Sequence, residues 1–316
     1  MLRLSVLFGV AVAGLAGLGY AYRSDVSGFL SQRGVNLPVA EMSGAAAAAT
    51  PKASAAAVPC RTDPLAPAVT PTVTFSSEPD TSGKAARYGT LQYPRGPILP
   101  MQIALTIDDG PDATYHKRVL DILDKHCLKA AFFFVGWYAN ARPDLVRDTA
   151  ARGHTIGTHS WTHPNNLRRL SAEAQIHQIG QGFWGSEKAL ESAPADQQAR
   201  LAPFFRFPGL NDSPTMLAYL GKRRIAAFSS DFGADDWMGI SAAEVERRAL
   251  KQGASSRGGV VILHETRVHT VEALDSIITE FERRGYRFVQ IVPAPGARDA
   301  AAAAPDPLIG RVRAKR

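Results

Sequence analysis

The fold of this chain is decided by the stretch Leu105-Thr106-Ile107-Asp108-Asp109-Gly110-Pro111-Asp112. The apolar run from Ile103 to Ile107 predicts a buried strand, which ends at two adjacent carboxylates and is stopped by Gly-Pro. Paired acids at the tip of a buried strand are costly unless they bind a metal ion or share a proton-transfer task. Because Asp-Asp-Gly-Pro is also favourable in turns, a plain turn is the alternative.

Strand-like and helix-like segments alternate on the carboxyl-terminal side of this stretch. Apolar runs predict strands at 101–108, 129–136, 154–160, 203–208, 225–231, 258–265 and 286–291. Helical patterns follow the first six, at 114–126, 138–152, 171–192, 213–223, 241–255 and 269–285. Seven β/α repeats predict an α/β fold with a parallel sheet, open or closed into a barrel. The long segment 161–202 suggests an insertion, with a loop from Pro194 to Gln198.

The two ends of the chain have a different composition. Residues 1–23 hold an uncharged apolar run between Arg3 and Arg23, which predicts an export signal or a membrane anchor rather than a buried helix. An uncleaved anchor is favoured, because no small-x-small cleavage site is evident. Residues 24–97 are rich in alanine and proline and predict an unfolded spacer, and residues 294–316 predict a disordered basic tail. We therefore expect an exported protein of the periplasm or cell envelope, bound to the membrane if the anchor is retained.

Composition narrows the class of protein. The 316 residues are 45% hydrophobic and 21% charged, which is typical of a globular domain. A net charge of +7 suggests an acidic polymer or a membrane surface as a neighbour. With no glycine-rich phosphate loop and no dense basic block, nucleic acid is not an expected partner. The two cysteines, Cys60 and Cys127, could pair in an oxidising compartment, or Cys127 could be buried and unpaired.

Chemically active residues follow the predicted strands where their carboxyl ends should meet. In parallel α/β folds, function collects at this edge. His159 and His163 are four residues apart and, with Asp109, form two imidazoles and a carboxylate that suit zinc, ferrous iron, cobalt or manganese. A structural role for the two histidines is the alternative. A metal ion with open positions polarises a carbonyl and acidifies water, which is the chemistry of hydrolysis.

Four further residues could complete such a hydrolase. Asp108 is the candidate base, and Arg206 could hold it ionised, although a simple salt bridge at the rim is the other reading. His264 ends a buried strand and could protonate a leaving group if an acid such as Asp236 raised its pKa, or it could be a core histidine. Trp237 and Leu263 could form an apolar wall beside the metal, or could be ordinary packing residues.

These residues resemble the polysaccharide deacetylases of the NodB-homology type, carbohydrate esterase family 4, over about residues 98–293. Five motifs of that family appear in order: Thr106-Ile107-Asp108-Asp109-Gly110, His159-Ser160-Trp161-Thr162-His163, Arg206-Phe207-Pro208-Gly209, Asp236-Trp237 and Leu263-His264. The resemblance implies a distorted (β/α)7 barrel. It also implies an oxyanion donor at the Gly209 N–H, where an aromatic residue is more common, and a substrate pocket lined by Pro208, Gly209, Trp237 and Leu263.

The resemblance implies a metal-dependent deacetylase of N- or O-acetylated sugars, with Asp109, His159 and His163 as metal ligands. Asp108 would activate water at the metal, His264 would be the acid, Arg206 would hold the base, and Asp236 would support the acid, although Asp235 is also possible. Zinc is the expected ion, with cobalt or manganese as alternatives, in a monomer acting on an acetylated glycan. A deacylase of a lipid-linked amino sugar and an inactive carbohydrate-binding protein are the rival hypotheses.

Overall fold

The computed structural model describes residues 70–303, and these form an α/β domain. Its strands are β1 (Thr72–Phe75), β2 (Arg87–Tyr88), β3 (Gln102–Asp108), β4 (Ala131–Phe134), β5 (Thr155–Thr158), β6 (Leu201–Arg206), β7 (Ala226–Phe228), β8 (Phe232–Gly233), β9 (Gly259–His264), β10 (Arg287–Phe288) and β11 (Gln290–Pro293). Its helices are α1 (His116–Lys125), α2 (Gly136–Ala141), α3 (Pro143–Ala151), α4 (Ala172–Leu190), α5 (Ala195–Gln198), α6 (Pro214–Lys222), α7 (Ala242–Ser256), α8 (Val268–Arg283) and α9 (Ala297–Ala303).

The main sheet is parallel and curls into a half-barrel. Its strands lie in the order β2-β7-β6-β5-β4-β3-β9-β8, and β10 pairs with the first residues of β3. The order of β3, β4, β5, β6 and β7 in the sheet follows the order in the chain, as expected when each strand is followed by a helix that returns the chain. The predicted α/β class and distorted-barrel fold are thus confirmed.

Side chains of the strands alternate between two hydrophobic layers. In β3, Ile103, Leu105 and Ile107 pack outward in the large cluster that includes the helices, whereas Ala104 packs in the inner cluster with Phe133. Since side chains alternate along a strand, the even-numbered Thr106 and Asp108 share the inner side with Ala104. This alternation places Asp108 inside the barrel at the carboxyl end of its strand.

Two predicted regions differ in detail from the structure. The region 138–152 is two helices, because Pro143 begins α3 and has no N–H to continue the ladder of α2. The predicted loop from Pro194 to Gln198 is wrong, since Ala195–Gln198 forms a short helix. Helices α2 and α4 pack closely because Gly136 and Gly185 face one another, and a Cβ on Gly185 would overlap the Gly136 carbonyl.

The boundaries of the folded part are wider than the composition suggested. The spacer predicted for 24–97 is wrong for residues 70–97, because β1 pairs in parallel with β11 and β2 pairs with β7. The predicted disordered tail is likewise wrong at its start, where α9 forms. The predicted anchor, the rest of the spacer and Cys60 lie outside the described residues. Within 70–303, no helix is long and apolar enough to cross a membrane.

Candidate active site

A cleft of about 610 Å³ opens at the carboxyl ends of the barrel strands. Predicted site residues that line it are Asp108, Asp109, His159, His163, Gly209, Asp236, Trp237 and His264. They come from the ends of different strands, so the topology of the sheet, and not their order in the chain, brings them together. Arg206 lies directly behind Asp108 and is fully buried.

Asp109, His159 and His163 converge on one point of the cleft. Each offers one ligand atom, and the three atoms lie within 4.8 Å of one another. Asp109 Oδ1 is 3.6 Å from His159 Nε2 and 3.4 Å from His163 Nε2. The chain turns sharply at two of these residues, since φ is 72° at Asp109 and 53° at His163. These left-handed conformations are uncommon for residues other than glycine. They cluster at active sites and ligand-binding sites, where the surrounding structure holds the backbone in place.

The protonation and bonding of this cluster fit a divalent metal ion. His159 Nδ1 donates to the Arg206 carbonyl at 2.8 Å, which leaves the Nε2 lone pair directed at the cluster. Burial, with the neighbouring His163 imidazole, lowers the pKa of His159 to about 3, so the ring is neutral. Asp109 Oδ1 is buried and has no hydrogen-bond partner within the described residues. Two imidazole nitrogens and an unsatisfied carboxylate oxygen are a suitable donor set for zinc and related ions.

Asp108 is held by a single cation. Arg206 Nη1 donates to Asp108 Oδ1 at 2.6 Å and to Thr106 Oγ1 at 2.8 Å, and Nη2 donates to the Ser229 carbonyl at 2.9 Å. The guanidinium also lies over the ring of Phe133, 4.2 Å from its centroid. Burial raises the pKa of Asp108, and the charge of Arg206 opposes this rise. Asp108 Oδ2 remains available, because it has no hydrogen-bond partner among the described residues.

His264 is supported by Asp236 and not by Asp235. His264 Nδ1 donates to Asp236 Oδ1 at 2.8 Å, and the His264 N–H donates to Asp236 Oδ2 at 2.7 Å. Burial lowers the pKa of His264, but the bond and charge of Asp236 outweigh it and raise the pKa to about 9. Asp235 instead accepts from Arg248 at 3.0 Å and Gln252 at 3.2 Å. The open choice between the two acids is thereby resolved geometrically in favour of Asp236.

The predicted pocket walls are only partly where the sequence suggested. Trp237 is 61% exposed at the edge of the cleft, and Gly209 lines it with a φ of 57°. Pro208 is buried and does not line the cleft. Leu263 is 1% exposed and packs in the outer hydrophobic cluster, so its predicted place in the pocket is wrong. The reason is strand alternation: Ile262 and His264 face the cleft, and the residue between them faces away.

One buried histidine–carboxylate contact beside the cleft was not expected from the sequence. Glu265 and His116 are both buried, with His116 Nδ1 2.9 Å from Glu265 Oε2. Glu265 Oε1 also accepts from the Asp112 N–H at 2.7 Å, which ties the end of β9 to the loop that carries Asp109. A Cβ on Gly110 would overlap this carboxylate, so a larger residue there would have to displace Glu265 from its hydrogen bonds. The sequence feature that could have indicated a role for Glu265 is its position directly after His264.

Two smaller contacts also support the site. Thr266 Oγ1 lies 3.5 Å from Asp109 Oδ2. His269, which sequence alone would treat as structural, donates from Nε2 to the Asp236 carbonyl at 2.7 Å. Both residues follow His264 closely, so the segment after β9 contacts both Asp109 and Asp236.

Comparisons with known proteins indicate the family to which the chain belongs. The family model described as polysaccharide deacetylase matches residues 98–226. A peptidoglycan-N-acetylglucosamine deacetylase of Bacillus cereus is 32% identical over 201 residues, which cover 62% of this chain and 69% of the relative. A peptidoglycan-N-acetylglucosamine deacetylase of Listeria monocytogenes is 31% identical over 190 residues, which cover 60% of this chain and 38% of the relative. The chain thus spans about two thirds of the first relative and well under half of the second.

A solved structure has the same fold. The Bc1960 peptidoglycan N-acetylglucosamine deacetylase aligns with a TM-score of 0.54 and 29% identity, over 64% of this chain and 90% of that one. The chain belongs to the polysaccharide deacetylase family, the NodB-homology enzymes of carbohydrate esterase family 4. The family resemblance seen in the five sequence motifs is thereby confirmed.

Proposed function

We propose that this protein is a metal-dependent hydrolase that removes acetyl groups from N- or O-acetylated sugars of an envelope polysaccharide. The observation that carries the proposal is the presence in one cleft of three elements. These are a metal-ligand triad, a carboxylate held by a buried arginine, and an imidazole held by a buried carboxylate. Hydrolysis of an amide or ester needs an electrophile, a base for water and an acid for the leaving group.

Asp109, His159 and His163 are the residues that would hold the ion, which we propose to be Zn²⁺, with Co²⁺ or Mn²⁺ as substitutes. Such an ion supplies Lewis acidity, which polarises an acyl carbonyl and lowers the pKa of water. Asp108 is the base, because its Oδ2 faces the cluster and lies 3.7 Å from His159 Nε2 while Arg206 fixes its other oxygen. This arrangement leaves one oxygen of a fixed carboxylate free to accept a proton.

His264 is the acid that protonates the departing amine or alcohol. Its Nδ1 is committed to Asp236, so Nε2 is the atom that can deliver a proton into the cleft. A pKa of about 9 keeps the imidazolium populated at neutral pH. Trp237 offers an exposed ring face at the edge of the cleft, on which a sugar can pack. The Gly209 N–H is the proposed donor to the developing oxyanion.

An envelope location is part of the proposal. It is supported by the apolar amino-terminal run between Arg3 and Arg23, and by relatives whose names place their activity on peptidoglycan. We propose that the protein acts outside the cytoplasm on an acetylated glycan, as a monomer.

Acetate release from full-length protein tests the function. The protein is stripped with a chelator and then given zinc, cobalt, manganese or no metal, with N-acetylglucosamine oligomers, peptidoglycan fragments and acetylated xylan as substrates. We expect release that depends on added metal. The Asp108→Asn variant should lower kcat by on the order of 100-fold or more, because it removes the base and keeps the shape.

The outcome also separates the rival hypotheses. A chain that binds one metal ion but releases acetate from none of these glycans contradicts the proposal and favours a lipid-linked substrate or a binding protein. A kcat near that of the wild type in the Asp108→Asn variant would contradict only the assignment of Asp108 as the base.

A further inference from the structure

Four carboxylates line the cleft, and each has a partner or a task. Asp108 pairs with Arg206, and Asp236 pairs with His264. Asp235 pairs with Arg248 at 3.0 Å. The fourth, Asp109, faces the two imidazoles of the ligand triad. The negative charge of the cleft is therefore fully accounted for by groups that the fold or the proposed reaction supplies.

Arg267 is a cation of the cleft with no such partner. It is the one lysine or arginine among the described residues that line the cleft. Within the range 70–303 its guanidinium makes no ion pair, and its side chain is exposed. Its backbone is fixed, because its N–H donates to the His264 carbonyl at 3.3 Å and it caps the start of α8. Because its backbone is held in this way, the side chain of Arg267 extends into the cleft from a fixed Cα position.

The position of Arg267 in the cleft is on the side of the acid. It lies three residues after His264 and directly after Thr266, whose hydroxyl lies 3.5 Å from Asp109 Oδ2. In the proposed reaction the acid faces the departing amine or alcohol, which belongs to the sugar. Arg267 is therefore placed in the same cleft as the acid, where it can meet the sugar that is deacetylated or its immediate neighbour.

The charges in the cleft indicate what kind of group Arg267 could bind. Arg206, Arg248 and a protonated His264 already oppose the carboxylates, and a divalent ion would add further positive charge. Arg267 adds a positive charge to the cleft that no carboxylate lining it offsets. An anion entering with the substrate offsets that charge and gains charge-assisted hydrogen bonds.

Resting on the proposed deacetylase function, we propose that Arg267 binds a carboxylate carried by the glycan, so that the preferred substrate is an acidic acetylated sugar. Guanidinium groups match carboxylates in a planar, two-bond geometry, which a neutral N-acetylglucosamine oligomer cannot use. The carboxylate can belong to an acidic ether on the sugar ring or to a peptide attached through it. Both sources share the same recognition chemistry.

Matched substrates and variants test this inference on the full-length, metal-loaded protein. The substrates are a peptidoglycan tetrasaccharide with free lactyl carboxylates, the same compound with those carboxylates converted to methyl amides, the peptide-bearing form, and neutral chitotetraose. The variants are Arg267→Gln, Arg267→Lys and, as a control for net charge, Arg118→Gln. Arg118 is an exposed residue of α1 outside the cleft.

We expect the wild type to favour the free-acid tetrasaccharide over its methyl amide by roughly tenfold in kcat/KM, mainly through KM. Arg267→Gln should abolish that preference while changing the methyl amide and chitotetraose less than twofold. Arg267→Lys should retain part of the preference, and Arg118→Gln all of it. Preference for the peptide-bearing form over the free lactyl acid would assign the carboxylate to the peptide.

Binding of the acidic tetrasaccharide to metal-free protein, followed by calorimetry, gives a readout independent of turnover. We expect Arg267→Gln to weaken this binding by a similar factor. Equal wild-type activity on the acid and its amide, or equal loss on both in Arg267→Gln, overturns the inference. A different result, in which acetate is released from none of the substrates, would instead contradict the deacetylase function itself.

Discussion

Replacing Asp236 by asparagine should change the pH dependence of catalysis in a defined way. The pKa of His264 is raised from 6.5 to about 9, and Asp236 is the main group that raises it against the effect of burial. Asparagine keeps an oxygen that can accept from Nδ1 but removes the charge. The pKa should therefore fall by about 2.5 units, a loss of about 3 kcal/mol in preference for the imidazolium.

The expected effect on rate follows from the fraction of His264 that is protonated. At about pH 8 this fraction drops from roughly 0.9 to 0.03 or less, so kcat should fall about 30-fold, whereas at about pH 6 the fall should be less than twofold. The sign is fixed: activity is lost as pH rises through the pKa of the acid, and the variant loses it earlier. Taking the ratio of variant to wild type at each pH cancels titrations that both share.

A pH series of acetate release from about pH 5.5 to 9.5 measures this. Asp235→Asn is the matched control, since Asp235 bonds Arg248 and Gln252 and should leave the alkaline limit in place. Thermal unfolding of the variants checks folding, because Asp236 also accepts from Thr270 at 2.7 Å. A variant-to-wild-type ratio that stays constant across pH would refute the assignment of His264 as an acid tuned by Asp236.

Two further changes test the packing behind the site. Arg206→Met should lower the free energy of unfolding by about 3–5 kcal/mol in urea titration, because it leaves the buried Asp108 carboxylate without its cation; a loss below about 1 kcal/mol would contradict this. Gly185→Ala should cost about 1–3 kcal/mol because its Cβ would overlap the Gly136 carbonyl. Gly239→Ala, where nothing lies within 4 Å of the new Cβ, is its control and should be close to neutral; equal effects of the two alanines would refute the packing argument.

The parallel sheet could be predicted because its strands are buried on both faces. Such strands appear as continuous apolar runs, as in Ala131–Phe134, and need no knowledge of distant partners. The convergence of site residues followed from the same reasoning, since parallel strands end at one edge. Asp109, His159 and His163 could thus be grouped from sequence although they come from different strands.

The first strand could not be predicted for the opposite reason. Thr72–Phe75 is four residues long, has only one buried side chain, and lies within a Pro/Ala-rich region. What makes it a strand is pairing with Gln290–Pro293 at the far end of the domain, and no local pattern reports such a partner. Local composition therefore underestimates how many residues belong to the domain wherever a short edge strand depends on a partner that is distant in sequence.

Finer errors arose between adjacent residues. Leu263 adjoins His264 in sequence but faces the opposite side of the strand, as the period of two requires. Asp235 and Asp236 could not be separated, because Asp235 adopts a φ of 51° that redirects the chain. The sequence locates the residues that line the cleft to within one or two positions. The direction of each side chain depends on local backbone angles, which the sequence pattern does not report.

The way the chain enters the domain has a consequence for how the enzyme could be mounted on a surface. Thr70 Oγ1 donates to the Cys127 carbonyl at 3.1 Å and accepts from the Lys129 N–H at 2.9 Å, both just ahead of β4. The chain therefore joins the barrel at the amino ends of its strands, whereas the cleft opens at their carboxyl ends. A tether through the preceding residues would pull on the back of the domain. The mouth of the cleft lies on the face of the domain opposite Thr70, where the described part of the chain begins.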